Sequence, residues 1–299
     1  MKKKTLYILG CTGMLGSDLL EIFSKKNEFL IYASYRKKKL LKNLIKKELD
    51  CSYFKLDTSN KKDIFNFKKN LKKNSLIINC IGLIKPYINE GLLANIKNAI
   101  QINAIFPHTL NNFSKKKNCK VYQIATDCVF SGKEGDYLEK DSHDAEDIYG
   151  KTKSLGEIKD KNFYNIRSSI IGEENYNKKS LIEWFKSSAV NSELNGFRNH
   201  KWNGLTTKVF SELLYSIIKC KIDKNLIHLI PKDQINKYQL LKILKKKFKR
   251  SDIIISSIFF KNKINRTLST DYKNIIDKIW KHSIYKKKLS IKDMVLKYL

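Results

Sequence analysis

Short apolar runs alternate with amphipathic segments through the first two thirds of the chain. The runs are continuously apolar, which is typical of parallel strands covered on both faces, and they predict strands at Thr5–Leu9, Phe29–Ser34, Cys51–Lys55, Leu76–Cys80, Lys120–Ala125 and Phe163–Arg167. Apolar residues at helical spacing predict helices at Met14–Lys25, Lys38–Lys47, Lys61–Leu71, Glu90–Ser114 and Ile148–Lys159. Strands that alternate with helices predict an α/β fold built on a doubly wound parallel sheet.

The pattern is looser after about residue 170. Helices are predicted there at Ser180–Ser187, Lys208–Lys219, Lys237–Phe248, Tyr272–His282 and Ile291–Leu299, with irregular segments at Asn195–Leu205 and Asp233–Asn236. The sequence has no clear linker. We therefore expect a dinucleotide-binding domain over 1–170 and a small substrate-binding lobe over 171–299, packed on the first.

The first predicted strand ends in a turn with glycines at steps of three, followed by a helical pattern. Glycines at this spacing allow a tight turn and let a pyrophosphate approach the helix N-terminus, where free N–H groups favour anions. This context predicts a nucleotide site rather than a plain strand–helix connection. The residues expected to hold the cofactor here are Gly10, Thr12, Gly13, Met14, Leu15 and Gly16.

The end of the second strand bears on which cofactor binds. NAD sites usually carry an acid at this place, whereas the segment here has Arg36 and no acid. A guanidinium binds phosphate oxygens bidentately, so Arg36 favours NADP(H), with NAD(H) as the alternative. Arg36 is otherwise one more surface cation of a basic chain. Asp57, after the third strand, is expected either to contact adenine or to cap the next helix.

Two segments carry candidate catalytic groups. Tyr149 and Lys153 are four residues apart, so a helix places them on one face. An ammonium and a cationic nicotinamide lower the pKa of a phenol, which lets Tyr149 exchange a proton with a carbonyl oxygen. Thr126 follows a predicted strand, where its hydroxyl is expected to bind the reacting carbonyl. A simple Thr-Asp turn is the alternative for Thr126.

These motifs together resemble the extended short-chain dehydrogenase/reductase family. Over nearly the whole chain, the similarity is closer still to dTDP-4-dehydrorhamnose reductases, in the segments Thr126–Gly132, Tyr149–Glu157, Arg167–Ser169 and Arg266–Thr270. The resemblance implies a Rossmann-like sheet, Tyr149 as general acid/base, Lys153 on the nicotinamide ribose and Thr126 on the sugar carbonyl. It also implies that the cofactor is lined, after the fourth strand, by Cys80, Ile81 and Gly82.

Departures from the reductase pattern fall near the expected substrate side. Ile170 stands where the reductases have an aromatic residue, and Cys128 replaces the usual Tyr after Thr-Asp. Sugar dehydratases have an acid at the place of Cys128, so reduction is favoured over dehydration. Solvated side chains are the alternative for several of the expected substrate contacts, which are Lys85, Thr126, Val129, Phe130, Arg198 and Trp202.

The charge changes this picture little. The chain has 60 basic and 29 acidic residues among 299, a formal net charge of +31, which by itself suggests nucleic-acid binding. The basic residues are spread along predicted helices without a long basic tail. We therefore expect no nucleic-acid partner, and a field that attracts an anionic nucleotide sugar.

Other classes of site are not expected. The six cysteines and five histidines lack metal-ligand spacing, and no apolar run approaches the roughly 20 residues of a membrane span. The apolar run near the N-terminus is shorter than that of a secretory signal. We expect a cytoplasmic, NADPH-dependent reductase of a nucleotide-linked 4-keto-6-deoxy sugar, with a homodimer left open. The alternatives are a nucleotide-sugar epimerase and a non-catalytic regulator resembling the methionine adenosyltransferase beta subunit.

Overall fold

The computed structural model describes residues 3–174, 176 and 178–299. Within them the strands are β1 (Lys4–Leu9), β2 (Phe29–Tyr35), β3 (Ser52–Lys55), β4 (Leu76–Asn79), β5 (Lys120–Ala125), β6 (Phe163–Arg167), β7 (Ile170–Ile171), β8 (Glu193–Phe197), β9 (His200–Trp202), β10 (Leu205–Thr206), β11 (Leu226–His228), β12 (Ile235–Asn236), β13 (Ile254–Ile258) and β14 (Ile264–Asn265). The helices are α1 (Met14–Ser24), α2 (Lys42–Ile45), α3 (Lys61–Asn70), α4 (Leu93–Ile100), α5 (Phe106–Lys116), α6 (Ile148–Leu155), α7 (Leu181–Lys186), α8 (Thr207–Lys219), α9 (Lys237–Lys247), α10 (Lys273–His282) and α11 (Ile291–Tyr298).

A seven-stranded parallel sheet forms the centre of the fold, in the order β11-β6-β5-β4-β1-β2-β3. Strand β1 lies between β2 and β4 and pairs in parallel with both. The strand order therefore reverses beside β1, and in such sheets ligands bind at the carboxyl ends of the strands on either side of the reversal. The predicted α/β class with a Rossmann-like parallel sheet is confirmed.

Apolar residues on both faces explain why these segments form strands. All four residues of β4 are buried, as are the last four of β1. The helices cover both faces and contribute side chains to a core that includes Tyr7, Leu9, Phe67, Ile77, Leu110, Val121 and Phe163. Within this core the Phe54 and Phe67 rings stack with centroids 5.7 Å apart.

The segment predicted as one helix over Glu90–Ser114 is divided into α4, a π-helical turn at Gln101–Ile105 and α5. Pro107 accounts for the division, because proline has no N–H to donate to the carbonyl of Asn103, four residues earlier. The segment predicted as a helix over Lys38–Lys47 is a 3₁₀ turn at Lys38–Leu41 followed by the single turn of α2.

The chain forms two compact units whose segments interleave. The first comprises Met1–Val129, Ala145–Ile166 and Asp223–Leu226, and the second comprises Phe130–Asp144, Arg167–Ile222 and Ile227–Leu299. The functional division expected at residue 170 stays a prediction, and the compact units do not divide the chain at a single point.

The second unit contains the short strands that the sequence pattern did not predict. The segment Asn195–Leu205, expected to be irregular, includes parts of β8 and β10 and all of β9. The core of this unit is built by α8, α9 and α10, with fully buried side chains such as Phe210, Leu213, Leu241 and Ile279. In the described chain, no helix combines the length and apolar character that a membrane crossing needs.

Candidate active site

The glycine turn between β1 and α1 has the geometry that its spacing predicts. Gly10 has φ +83°, a left-handed conformation that favours glycine. A Cβ on Gly16 would lie 2.1 Å from the carbonyl oxygen of Gly10, so the helix packs on the turn only because residue 16 has no side chain. Gly13 begins α1 without a side-chain cap, which leaves the N–H groups of the first turn available to an anion.

The segment after β4 lies against this turn. The amide of Cys80 donates to the carbonyl of Leu9 at 3.0 Å, and a Cβ on Gly10 would lie 3.1 Å from the Ile81 side chain. A Cβ on Gly82 would meet nothing closer than 3.6 Å. Exposed glycine backbone on both segments, beside an uncapped helix N-terminus, fits the pyrophosphate of a dinucleotide cofactor.

Helix α6 carries Tyr149 and Lys153 and packs closely on the segment that follows β5. Asp147 caps the helix by accepting from the amide of Gly150 at 2.8 Å. A Cβ on Gly150 would lie 2.2 Å from the carbonyl oxygen of Cys128, so glycine permits this approach. The Thr126 hydroxyl donates to Asp127 Oδ1 at 3.1 Å and accepts from the amide of Cys128 at 3.2 Å. It also lies close enough to the phenol of Tyr149 to lower the pKa of that group, so these two predicted catalytic residues lie together.

The pKa of Tyr149 is raised above its ordinary value, mainly by burial, and negative charge on Cys128 would raise it further. The hydrogen bond with Thr126 opposes this change because it stabilises the phenolate. In this structure desolvation outweighs the stabilising contact, and the lowering of the phenol pKa expected beside a cationic nicotinamide stays a prediction. The phenol is protonated at neutral pH.

Lys153 is buried, with 9% of its surface exposed, and its ammonium donates to the carbonyl of Ile124 at 2.7 Å. Burial lowers its pKa from 10.5 to about 8, and Glu157 acts in the opposite direction. A Cβ on Gly82 would lie 4.0 Å from the Lys153 nitrogen. The amine of Lys153 thus extends from helix α6 to the segment expected to line the cofactor.

Asn103, which the sequence analysis missed, joins that segment to helix α6. Its side chain accepts from the amide of Leu83 at 2.8 Å and donates to the carbonyl of Leu83 at 2.9 Å. The same amide group donates to the hydroxyl of Thr152 at 3.2 Å. The sequence signal that could have pointed to Asn103 is Pro107, because a proline within a helical pattern marks a bulge in the helix. Asn103 lies in that bulge, the π-helical turn at Gln101–Ile105.

Arg36 and Asp57 lie just after β2 and β3, as predicted. Arg36 is exposed, and the structure gives it no hydrogen bond or ion pair with a described residue. Asp57 accepts from the amide of Ser59 at 3.0 Å. The capping alternative for Asp57 is wrong, because Asn60 caps α3 and accepts from the amides of the first turn. The adenine contact stays a prediction.

Three predicted substrate contacts have other partners or no free surface. Lys85 forms an ion pair with Asp147, the cap of α6, at 2.8 Å. Val129 and Phe130 are completely buried, so their side chains present no surface to a substrate. Phe130 stacks on Tyr137 with ring centroids 4.1 Å apart. The prediction for Val129 and Phe130 is corrected on this ground, because the apolar run after Thr126 serves packing.

Arg198 and Trp202 both belong to the second unit. Arg198 is exposed, with its guanidinium 5.7 Å from the centre of the Tyr238 ring. The indole of Trp202 donates to the hydroxyl of Ser169 at 2.7 Å. The end of β9 is thus tied to the segment after β6, and a substrate role for Arg198 and Trp202 stays a prediction.

Arg167 is the centre of a polar cluster in the second unit and is completely buried. Its guanidinium donates to His228 Nε2 at 2.6 Å and to His143 Nε2 at 2.7 Å, and it lies 5.0 Å from the Phe130 ring centre. His228 Nδ1 donates to the carbonyl of Ser269 at 2.7 Å. Arg167 was expected only as part of the Arg167–Ser169 segment that carries the family resemblance, and nothing in the sequence pattern predicted its histidine partners.

The parallel sheet and the glycine turn define a Rossmann-like α/β protein. The sequence model of the RmlD substrate binding domain family matches residues 4–265, and the chain belongs to this family. The predicted resemblance to extended dehydrogenase/reductases of the dTDP-4-dehydrorhamnose reductase type is confirmed. No curated protein matches the chain significantly.

Solved structures share the fold at low sequence identity. A dTDP-4-dehydrorhamnose reductase from Clostridium acetobutylicum is 20% identical, with 98% of each chain covered and a TM-score of 0.70. The Bacillus anthracis dTDP-4-dehydrorhamnose reductase in complex with NADP is 19% identical, with 99% of this chain and 97% of that one covered and a TM-score of 0.74. UDP-glucuronic acid 4-epimerase from Bacillus cereus in complex with NAD is 14% identical, with 98% and 94% covered and a TM-score of 0.72.

Proposed function

We propose that the protein is an NADPH-dependent reductase that acts on a nucleotide-linked 4-keto-6-deoxy sugar. The observation that carries the proposal is the placement of Thr126 beside the phenol of Tyr149, with the buried amine of Lys153 on the same helix as Tyr149. Membership of the RmlD substrate binding domain family supports a nucleotide-sugar substrate.

Tyr149 has the protonation state that a proton donor requires. When bound, the cofactor supplies the hydride. Burial keeps the phenol protonated, so Tyr149 holds the proton that the reduced carbonyl oxygen needs. Thr126 donates a hydrogen bond to that oxygen, and Lys153 supplies positive charge that stabilises the phenolate left behind.

Three groups of residues would hold the cofactor. The first turn of α1, after Gly13, would bind the pyrophosphate, and the segment Cys80–Gly82 would line the nicotinamide. Arg36 would pair with a 2′-phosphate, which is the reason for proposing NADPH before NADH. The NADP complex of the Bacillus anthracis reductase supports this order, while the epimerase complex contains NAD.

The test is NADPH oxidation, followed at 340 nm as is usual for nicotinamides, against a panel of nucleotide 4-keto-6-deoxy sugars. Tyr149→Phe removes the proton donor and leaves the ring, so we expect a loss of turnover of at least about a thousandfold with NADPH affinity within about twofold. Tyr53→Phe is the matched control at a tyrosine outside the site, and its turnover should stay normal. Near-normal turnover of Tyr149→Phe on an accepted sugar would contradict the mechanism.

An epimerase is the second candidate, favoured by the structural similarity to UDP-glucuronic acid 4-epimerase. An epimerase regenerates its cofactor in every cycle, so it converts the sugar without net NADPH consumption. Sugar conversion without NADPH oxidation therefore identifies the epimerase. If the protein converts none of the sugars, a non-catalytic regulatory function is favoured instead. A cytoplasmic location and the absence of a nucleic-acid partner are parts of the proposal, and a homodimer is left open.

A further inference from the structure

A surface cavity in the second unit combines five basic side chains with one acid. Its volume is about 520 Å³, and its lining includes Asp277 together with Lys232, Lys281, Lys286, Lys287 and Lys288. Small-molecule sites usually have volumes of about 300–1,000 Å³. The cavity is therefore large enough for a ligand of several charged groups.

The chain around the cavity is fixed by specific contacts. Trp280 on α10 forms part of the lining, is 1% exposed, and donates from its indole to the carbonyl of Ile230 at 3.1 Å. After α10 the chain turns through Lys286, whose φ is 63°, in the left-handed region. The amide of Lys232 then donates to the carbonyl of Leu289 at 3.0 Å, which holds two of the lysine-bearing segments together.

The charges lining this cavity are poorly compensated. Lys288 pairs with Asp277 at 2.8 Å. The other four lysines form no ion pair with any residue that the structure describes, and all four contribute to the lining of the same cavity. Lys281 lies in the last turn of α10, where a cation also offsets the helix dipole, but the lysines beyond the helix have no such role. An anion that contacts several of them at once would relieve their repulsion.

We propose that this cavity binds a small anion with several phosphate groups, such as an oligophosphate or the triphosphate of a nucleotide. A concave site around Trp280 fits a compact ligand, whereas a nucleic-acid backbone requires basic residues along an extended path. None of its lining residues belongs to the proposed catalytic or cofactor-binding set. The site is thus independent of the proposed reductase function.

The test is calorimetric titration of NADPH-saturated protein with inorganic tripolyphosphate, so that the proposed cofactor site is already filled. We expect one molecule bound per chain, with affinity that falls as salt rises. Lys281→Ala/Lys287→Ala should weaken binding roughly tenfold or more, because two surface charge contacts are lost. Lys261→Ala/Lys263→Ala makes the same change in net charge at exposed residues outside the cavity, and it should bind within about twofold of wild type.

A second measurement locates the site and identifies the source of the phosphates. Tripolyphosphate should protect Lys286 from acetylation, read by mass spectrometry, and leave Lys261 reactive. ATP that binds more tightly than tripolyphosphate assigns the site to nucleotides, and the reverse assigns it to free oligophosphate. Equal weakening by both double variants would overturn the proposal in favour of diffuse attraction. An absence of tripolyphosphate binding, or RNA binding that tripolyphosphate does not displace, would overturn it as well.

Discussion

The buried ammonium of Lys153 is expected to destabilise the fold at neutral pH. Its pKa is lowered from 10.5 to about 8 by burial. Since a tenfold change in proton affinity corresponds to about 1.4 kcal/mol, keeping this amine charged in the folded protein costs about 3 kcal/mol. Lys153→Met removes the charge and keeps the length of the side chain, but it loses the hydrogen bond to Ile124, which is worth about 1 kcal/mol.

Lys153→Met should therefore be more stable than wild type by about 2 kcal/mol at pH 7, although it removes a residue of the proposed active site. Between pH 8 and 10.5 the unfolded wild type binds more protons at this lysine than the folded protein, so wild-type stability rises with pH. The two proteins should be equally stable near roughly pH 9.5, and wild type should be more stable above it.

The assay is urea unfolding of the cofactor-free proteins at pH 7, 8.5 and 10, followed by circular dichroism. Lys151→Met is the matched control, because Lys151 lies on the same helix with an exposed side chain. Its difference from wild type should stay within about 0.5 kcal/mol at every pH. A Lys153→Met protein that is less stable than wild type at pH 7, or a difference that does not change with pH, would refute the reasoning.

Three further predictions concern the cofactor side of the site. Gly16→Ala places a Cβ 2.1 Å from the Gly10 oxygen, so we expect the free energy of unfolding to fall by about 2–3 kcal/mol. NADPH binding, measured by fluorescence titration, should be lost, and normal binding would contradict this packing. Asn103→Ala removes the hydrogen bonds to Thr152 and to Leu83 in the segment after β4, and it should lower the free energy of unfolding by about 2–4 kcal/mol in a urea titration. A decrease below about 1 kcal/mol would show that these hydrogen bonds do not hold the segment to α6. Arg36→Ala should raise the KM for NADPH roughly tenfold in steady-state kinetics with the KM for NADH unchanged, and an equal effect on both would rule out a phosphate contact.

The central sheet could be predicted because its strands are covered on both faces. In β4, for example, all four positions from Leu76 to Asn79 are buried. Burial on both faces of the sheet gives a nearly continuous apolar run, which is easy to recognise in the sequence. The short strands of the second unit carry no such signal. Strand β10, for example, has only two residues, too few for any periodicity to develop. Their pairing depends on partners that are distant in sequence.

The candidate site divides in the same way. The glycine turn and the Tyr149 and Lys153 pair are local patterns, so backbone geometry and helix spacing were sufficient to predict them. The ion pair of Lys85 with Asp147 depends on side chains that are 62 residues apart, and no local pattern encodes it. The raised pKa of Tyr149 could not be predicted for a related reason, because desolvation depends on the whole surrounding structure rather than on the neighbouring lysine.

The interleaving of the two compact units limits how this protein can be recombined. Thr126 and Tyr149 belong to the first unit, but the chain between them passes through Phe130–Asp144, which belongs to the second. Within the second unit, Asp136 accepts from the hydroxyl of Thr267 at 3.0 Å, far along the chain. A fragment that ends near residue 170 would contain Phe130–Asp144 but would lack Thr267, the hydrogen-bond partner of Asp136. Exchange of the second unit between relatives therefore requires crossover points at five junctions, after residues 129, 144, 166, 222 and 226, and a single fusion joint would separate residues that fold together.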